Sequence, residues 1–211
     1  MRKYLLLGWS LFIVSSKSFA FPALKTGDII LLPLHCWVCS LIELEHDTIF
    51  SHAGIVYRNP QSEDLFVLES WGETKMTPIK EFLERTQKEQ APKYMRNKEI
   101  AQLGAKKYQE FKAGLINSFK KDFEHLEYDR DFLWDNKDKI GRDKLYCTEF
   151  ITKILNPFLT QKIETYPMTF QKNRYYWDRY FNAQTPEGRP GNAPAHIERS
   201  PLFFEITSST P

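Results

Sequence analysis

The sequence has few cysteines, no excess of charge of one sign and no second long apolar run beyond its first residues. Its 211 residues include three cysteines, 29 Lys and Arg, and 27 Asp and Glu. The balanced charge provides no basic field for binding nucleic acid. With 42% hydrophobic and 27% charged residues, the composition is that of an ordinary globular protein. It excludes disordered, collagen-like and coiled-coil chains.

Residues 1–20 are predicted to be a secretory signal peptide. Two basic residues precede an apolar run from Tyr4 to Val14, and Ser18-Phe19-Ala20 suits a signal peptidase. The run is too short to span a bilayer, although an uncleaved anchor or a buried first helix is an alternative. Cleavage after Ala20 would leave 26 basic residues against 27 acidic. We therefore expect residues 21–211 to form one exported domain, periplasmic or extracellular, with no transmembrane span and no nucleic-acid partner.

The apolar patterns predict an α+β fold in which a small antiparallel sheet packs against helices. Strands are predicted over Ile29–Leu32, Ile49–Arg58, Leu65–Trp71, Lys93–Arg96 and Leu202–Phe204. Helices are predicted over His35–His46, from Thr77 to about Lys88 with Thr77 as its cap, over Glu99–Glu124 and over Leu145–Leu155. The second and third strands would form a hairpin. From about residue 185 the chain is rich in Pro, Gly and Asn.

Three residues could together carry nucleophilic catalysis: His52, Glu69 and Cys147. Strand side chains alternate, so His52 and Glu69 can share one face of the predicted hairpin, where each would supply the partner that a buried charge needs. Cys147 is predicted to lie in the first turn of a helix, whose dipole and unpaired N–H groups favour a thiolate and can hold an oxyanion. An imidazole held by a carboxylate would activate that thiol.

Each of the three residues also has a structural interpretation. A lone cysteine that begins an amphipathic helix is usually a small buried hydrophobe. A histidine in a strand is more often a hydrogen-bonded structural residue, and Glu69 could face water if its strand is an edge. Only the order and context of all three residues favour catalysis.

Several short motifs resemble those of the permuted papain-like cysteine amidases, the YaeF/YiiX-like group of the NlpC superfamily. They are G-D-I-I at 27–30, S-H-A-G-I-V at 51–56, V-L-E-S at 67–70, T-P-I at 77–79, Y-D at 128–129 and L-Y-C-T-E-F at 145–150. The resemblance covers roughly residues 26–157, and it lies in the order and spacing of the motifs rather than in any single one.

The resemblance implies a permuted papain-like fold and an enzyme. It implies Cys147 as the nucleophile, His52 as the base and Glu69 as the residue that orients it, with Tyr146 as a weaker candidate for binding the oxyanion. The family relation implies hydrolysis of an amide, possibly in a cell-wall peptide. Lecithin:retinol acyltransferase-like proteins share the permuted order, so an acyl lipid substrate and acyl transfer stay open. No cofactor or metal is implied.

The segment between the first strand and His52 departs from the family pattern. With three cysteines in an exported chain, Cys36 and Cys39 would form a disulfide and Cys147 would be free. Alternatively, Cys36 and Cys39 could form the redox site of a thiol–disulfide oxidoreductase. A third possibility is a zinc site that these two cysteines form with His35 and His46, although a second paired element is missing. A binding domain without catalysis is a further alternative.

Other motifs are absent or weak. The sequence has no G-x-S-x-G elbow and no H-E-x-x-H zinc helix. The acidic residues from Asp129 to Asp138 lack the ligand and glycine positions of a calcium loop. An aromatic cluster comprises Tyr175, Tyr176, Trp177, Tyr180 and Phe181. Such a cluster is more often core, but it could also stack on a sugar or an acyl chain near the site.

Overall fold

The predicted apolar runs become strands of one antiparallel sheet. The computed structural model describes residues 22–182 and 185–207, so the predicted signal peptide lies outside the described residues. The sheet contains β1 (Ile29–Leu32), β2 (His52–Arg58), β3 (Leu65–Trp71), β4 (Glu73–Pro78), β5 (Lys93–Asn97) and, near the end of the chain, β8 (Phe203–Glu205). Their order across the sheet is β4-β3-β2-β1-β5-β8, and all neighbours are antiparallel. The two-residue strands β6 (Tyr166–Pro167) and β7 (Pro190–Gly191) pair separately.

Seven α-helices are assigned in the described part of the chain. They are α1 (Trp37–His46), α2 (Ile79–Glu84), α3 (Lys98–Ala101), α4 (Ala105–Ser118), α5 (Cys147–Leu155), α6 (Arg174–Phe181) and α7 (Pro194–Arg199). Helix α5 contacts β2 and β3, and nearly all its side chains are buried. None of the helices among these residues is long and apolar enough to cross a membrane.

The alternation of side chains in the strands gives the sheet two apolar faces. On one face, Ile29, Ile55 and Leu68 pack with residues of α4 and α5. On the other face, residues such as Ile30, Val56 and Val67 pack with α2. His52 is the first residue of β2, and its ring lies 5.6 Å from that of Phe82 in α2. The hairpin of β2 and β3 therefore forms as predicted, and it places His52 on the face that α2 covers.

The expected helix from Thr77 is wrong in its start and its length. Thr77 and Pro78 end strand β4, where Thr77 pairs with Val67, and the helix runs only over Ile79–Glu84. The hydroxyl of Thr77 does not cap this helix, because it donates to Glu69 in the neighbouring strand. A local helix-start pattern was thus overridden by a tertiary hydrogen bond.

The single long helix expected over Glu99–Glu124 is divided into shorter segments. The short helix α3 precedes a turn, α4 begins after Gly104, and a π-helical turn over Phe119–Phe123 follows it. The apolar residues of the segment still face the sheet, since Phe111, Leu115 and Phe119 are buried in the core. The periodicity indicated the buried face correctly but not the breaks in the backbone.

Candidate active site

The structure brings His52 and Glu69 into direct contact. The Nε2 atom of His52 donates to Glu69 Oε2 over 2.7 Å, and both side chains are almost completely buried.

Gly54 lies between His52 and Val56 on this face of β2. A Cβ atom there would lie only 2.3 Å from Val67 Cγ1. Position 54 therefore needs glycine, because any side chain there would collide with that of Val67.

Two further donors hold the second oxygen of the Glu69 carboxylate. Thr77 Oγ1 donates to Glu69 Oε1 over 2.5 Å, and Arg85 Nη2 donates to the same atom over 2.6 Å. Burial by itself raises the pKa of Glu69, but the hydrogen bond and charge of His52, together with those of Arg85, outweigh it. They lower the pKa of Glu69 to about 2. Glu69 is therefore a carboxylate throughout the neutral pH range.

Aromatic rings enclose this charged group. The ring centroids of Trp71 and Phe82 lie 5.2 and 5.6 Å from that of His52, and the guanidinium carbon of Arg85 lies 5.0 and 4.9 Å from the same two rings. The Nε and Nη1 atoms of Arg85 are buried without hydrogen-bond partners. Trp71 and Phe82 thus hold Arg85 by cation–π contacts and His52 by edge-on and tilted ring contacts, on either side of Glu69.

Cys147 is the first residue of α5, and it faces His52. It is a free cysteine that is 5% exposed. Burial by itself lowers the pKa of His52, but hydrogen bonds and charge from Cys147 and Glu69 outweigh it and raise the pKa to about 9. Since Nε2 of His52 is bonded to Glu69, Nδ1 is left for the sulfur. Sulfur, imidazole and carboxylate thus form one chain of contacts, drawn from α5, β2 and β3.

The residues around the start of α5 are held by the segment at Asn192. The backbone N–H of Asn192 donates to the hydroxyl of Tyr146 over 3.2 Å, and Thr148 Oγ1 donates to the carbonyl of Asn192 over 2.9 Å. Tyr146 is the N-cap residue of α5 and is buried. The first N–H groups of a helix have no partners within the helix, so they are available beside Cys147. The role of Tyr146 in binding an oxyanion stays a prediction.

Sequence reasoning missed Tyr128, Arg85, Thr77 and Asn192 as neighbours of the candidate residues. Burial raises the pKa of Tyr128 well above its usual value, and the charge of Cys147 raises it further. The phenol of Tyr128 therefore stays protonated and is a possible donor near the sulfur. The motifs Y-D at 128–129 and T-P-I at 77–79 were signals for Tyr128 and Thr77, whereas nothing in the local sequence marks Arg85 or Asn192.

A narrow apolar pocket with about 30 Å³ of free space lies beside Cys147. Its lining includes Ile42, Tyr128, Phe132, Met168, Phe170 and Trp177. Most of these residues belong to one hydrophobic cluster, and the rings of Phe170 and Trp177 lie 5.1 Å apart. Of the aromatic cluster noted in the sequence, Trp177 is buried in this wall, whereas Tyr175 and Tyr176 are 70% and 44% exposed.

The carboxylate of Glu45 fastens the pocket wall to α1. It accepts hydrogen bonds from Thr169 Oγ1 (3.1 Å), from the backbone N–H groups of Gln171 (3.1 Å) and Lys172 (2.9 Å), and from Trp177 Nε1 (3.2 Å). Glu45 is 5% exposed, so these four donors take the place of water around it. The segment that carries Met168, Phe170 and Trp177 is therefore held against the helix that carries Ile42.

Another buried carboxylate, Glu149, lies in the first turn of α5. Its Oε1 accepts from the N–H of Asp135 (3.0 Å) and from Lys153 Nζ (2.9 Å), whereas Oε2 is buried without a partner. Burial raises the pKa of Glu149 to about 7, although Lys153 and the N–H of Asp135 oppose this. Glu149 is thus less well satisfied than Glu69.

Cys36 and Cys39 are joined in a disulfide at the start of α1. Neither sulfur is then available as a thiolate ligand for zinc. Among the described residues, no group of three or more His, Cys, Asp or Glu side chains is arranged to hold a metal ion.

Comparisons with known proteins agree on the family and the fold. The sequence profile of the family described as permuted papain-like amidase enzyme, YaeF/YiiX, C92 family, matches residues 23–204. No curated protein sequence matches the chain. A crystal structure titled metalloprotein YiiX from Escherichia coli O157:H7 is similar, with a TM-score of 0.72 and 20% sequence identity over 91% of this chain and 100% of that chain. The permuted papain-like α+β fold predicted from the sequence is confirmed.

Proposed function

Because the chain belongs to the permuted papain-like amidase family, we propose that it is an exported cysteine hydrolase that cleaves an amide or related acyl bond. The observation that supports this proposal is the position of His52 between the sulfur of Cys147 and the carboxylate of Glu69. Nucleophile, base and orienting residue are the minimum set for acyl transfer through a thioester.

The proposed acylation step begins with the proton on His52. With a pKa of about 9, the imidazole holds a proton at neutral pH. Cys147 then reacts as the thiolate: its sulfur bonds to the carbonyl carbon, and the negative charge passes to the carbonyl oxygen. His52 transfers its proton to the leaving nitrogen, the C–N bond breaks, and an amine departs. The acyl group is left as a thioester on Cys147.

Water completes the proposed cycle. His52, now neutral, accepts a proton from a water molecule whose oxygen attacks the thioester carbonyl. The C–S bond breaks, a carboxylic acid leaves, and the sulfur returns to its first state beside protonated His52. In both steps Glu69 keeps the ring oriented and stabilises its positive charge. N–H groups at the start of α5 would stabilise the oxyanion.

The substrate and location are part of the proposal. A cell-wall peptide and an acyl lipid are the two candidate substrates, and an alcohol or amine in place of water would make the enzyme an acyltransferase. The signal-like sequence at residues 1–20 and the Cys36–Cys39 disulfide support export, because disulfides persist in oxidising compartments. A periplasmic or extracellular location follows from this proposal.

Trapping the acyl-enzyme tests the proposed function. The protein is incubated with an N-acyl p-nitroanilide, and intact-mass and peptide mass spectrometry locate any acyl group. We expect an adduct on Cys147 whose mass equals that of the acyl group, together with release of p-nitroaniline. Cys147→Ala should remove both signals, because no other described cysteine is free.

A second variant separates hydrolysis from redox chemistry. Replacing both Cys36 and Cys39 with Ser should leave acylation of Cys147 in place if the enzyme is a hydrolase. A thiol–disulfide oxidoreductase would instead lose its activity in this variant and keep it in Cys147→Ala. Lack of any acyl adduct or turnover with all acyl donors would refute the proposed hydrolase.

A further inference from the structure

The reacting sulfur is closed off from solvent in this structure. Cys147 is 5% exposed and His52 is 2% exposed, and the pocket beside the sulfur has only about 30 Å³ of free space. Pockets that bind small molecules usually measure about 300–1,000 Å³. The space beside Cys147 holds a water molecule, but not the acyl group or the peptide of a substrate. Part of the pocket wall therefore has to move before a substrate can reach the sulfur.

One wall of this pocket lies outside the central sheet. Residues 168–182, here called the cover segment, follow β6 and include all of α6. Met168, Phe170 and Trp177 of this segment line the pocket together with Cys147. Among the described residues, no backbone group of the cover segment pairs with a strand of the six-stranded sheet. The segment can therefore move while the sheet and α5 stay intact.

Polar contacts from α1 hold the cover segment in place. The four hydrogen bonds that Glu45 accepts, described above, all come from this segment. Lys172 Nζ also donates to Asp47 Oδ2 over 2.6 Å, but this pair is exposed, and exposed ion pairs contribute little. The buried carboxylate of Glu45 is thus the stronger of the two contacts, because a charged acceptor that is shielded from water forms strong hydrogen bonds.

We propose that the cover segment closes the site over Cys147, that Glu45 holds it closed, and that it moves away to admit a substrate. This inference rests on the proposed function, because it takes Cys147 as the group that a substrate must reach. Opening breaks the hydrogen bonds of Glu45 and separates apolar side chains that pack with Phe132 and Tyr146. The closed form therefore predominates without substrate, and the reactivity of Cys147 follows the fraction of open molecules.

Alkylation of Cys147 by iodoacetamide measures opening without turnover, because the reagent is too large for the closed pocket. Glu45→Gln keeps the shape of the side chain but removes the charge that its four donors share. We expect this variant to raise the alkylation rate of Cys147, followed by peptide mass spectrometry, at least tenfold.

Glu198→Gln is the matched control for this measurement. Glu198 is also a partly buried glutamate, but its donors, Thr48 and Lys93, lie outside the cover segment. Its replacement should leave the alkylation rate within threefold of the wild type. No increase in Glu45→Gln, or an equal increase in both variants, would overturn the proposal.

A milder pair of variants keeps the test decisive if Glu45→Gln does not fold. Thr169→Val removes one of the four donors to Glu45, whereas Thr48→Val removes one donor to Glu198. We expect Thr169→Val to raise the alkylation rate about fivefold, since one hydrogen bond is lost, and Thr48→Val to leave it within twofold. Equal rates in the two threonine variants would contradict the role of Glu45.

Hydrogen exchange of the wild type separates this inference from the proposed function. The amides of Gln171 and Lys172 donate to Glu45, so opening exposes them to water, whereas the amides of α5 stay protected. Both should exchange at least tenfold faster than the hydrogen-bonded amides of α5. Acylation of Cys147 with exchange as slow as that of α5 would keep the hydrolase and overturn the movement. Fast exchange and faster alkylation in Glu45→Gln, without any acyl adduct, would support the movement and overturn the hydrolase.

Discussion

Glu69 and Glu149 are both fully buried near Cys147, yet their carboxylates differ by several units in pKa. Burial alone raises the pKa of each. Behind His52, Glu69 is surrounded by donors on both oxygens, and its pKa is about 2. In α5, Glu149 has donors on one oxygen only, and its pKa is about 7. Hydrogen bonds and charge from two cationic partners, His52 and Arg85, rather than depth of burial, keep Glu69 ionised, whereas Glu149 has only Lys153 as such a partner.

This difference assigns different tasks to the two regions. The cleft behind His52 keeps a permanent negative charge that can orient and stabilise a cationic imidazole. The flank of α5 holds a group that is partly protonated at neutral pH and that no catalytic step requires. Replacing each glutamate by glutamine, which keeps the shape but removes the charge, is the most direct way to examine the contrast.

Glu69→Gln is expected to have the largest effect. The amide can no longer stabilise the charge of His52 and favours the wrong ring tautomer, so kcat/KM should fall about 10²- to 10⁴-fold with the fold retained. Thermal unfolding monitors the fold. Glu73→Gln is the control, because Glu73 pairs with His125 over 3.1 Å in an exposed position. An unchanged rate in Glu69→Gln would show that another residue orients His52.

The charge of Glu69 should also appear in the pH profile. Because His52 has a pKa of about 9, kcat/KM should fall above about pH 9, where the imidazole loses the proton that the leaving amine needs. The same rise in the pKa of His52 stabilises the folded state at pH values below 6.5, the ordinary pKa of histidine. This contribution to the free energy of unfolding is lost as the pH rises through about 9. In Glu69→Gln both changes should move to lower pH. pH–rate profiles and denaturant unfolding would measure them, and an unmoved alkaline limb would contradict the coupling.

Arg85→Met should have a smaller effect, since Thr77 and His52 still hold Glu69. Loss of the guanidinium raises the pKa of Glu69, and we expect kcat/KM to fall about tenfold and the free energy of unfolding to fall by about 2 kcal/mol. Arg85→Lys should restore part of the rate. The control is Arg142→Met, which removes an exposed ion pair worth less than about 1 kcal/mol. Equal effects of Arg85→Met and Arg142→Met would exclude a positioning role for Arg85.

Glu149→Gln should have the smallest effect of the three substitutions. The folded state binds a proton at Glu149 between the ordinary pKa of 4.5 and about 7, so the free energy of unfolding falls as the pH rises through this range. Gln removes this dependence. At pH 8 the variant should therefore be as stable as the wild type or slightly more so, with kcat/KM within threefold. A rate loss comparable to that of Glu69→Gln would show that Glu149 takes part in catalysis.

The hairpin and the start of α5 could be predicted because their signals are local. Alternation of side chains places His52 and Glu69 on one face whatever the rest of the chain does. Amphipathic spacing likewise indicated the helix that begins at Cys147, and the family resemblance indicated the chemistry. These features depend on neighbours within a few residues or on one hairpin.

The support of Glu69 and the pocket could not be predicted in this way. Thr77 matches a helix cap in its local sequence, and only the pairing of β3 with β4 shows that its hydroxyl meets Glu69. Arg85 reaches Glu69 from beyond α2. Asn192 contacts Tyr146 across 46 positions of the chain. Contacts of this separation leave no periodic signal in a sequence.

The hydrogen bonds of Glu45 hold a pocket wall that is separate in sequence from the reacting residues. The reacting residues come from β2, β3 and the start of α5, whereas Met168, Phe170 and Trp177 belong to a later segment attached mainly through one carboxylate. Substitutions in that later segment can therefore change the shape of the pocket without disturbing Cys147 or His52. Related proteins that share the reacting residues could therefore still differ in the substrates that they accept.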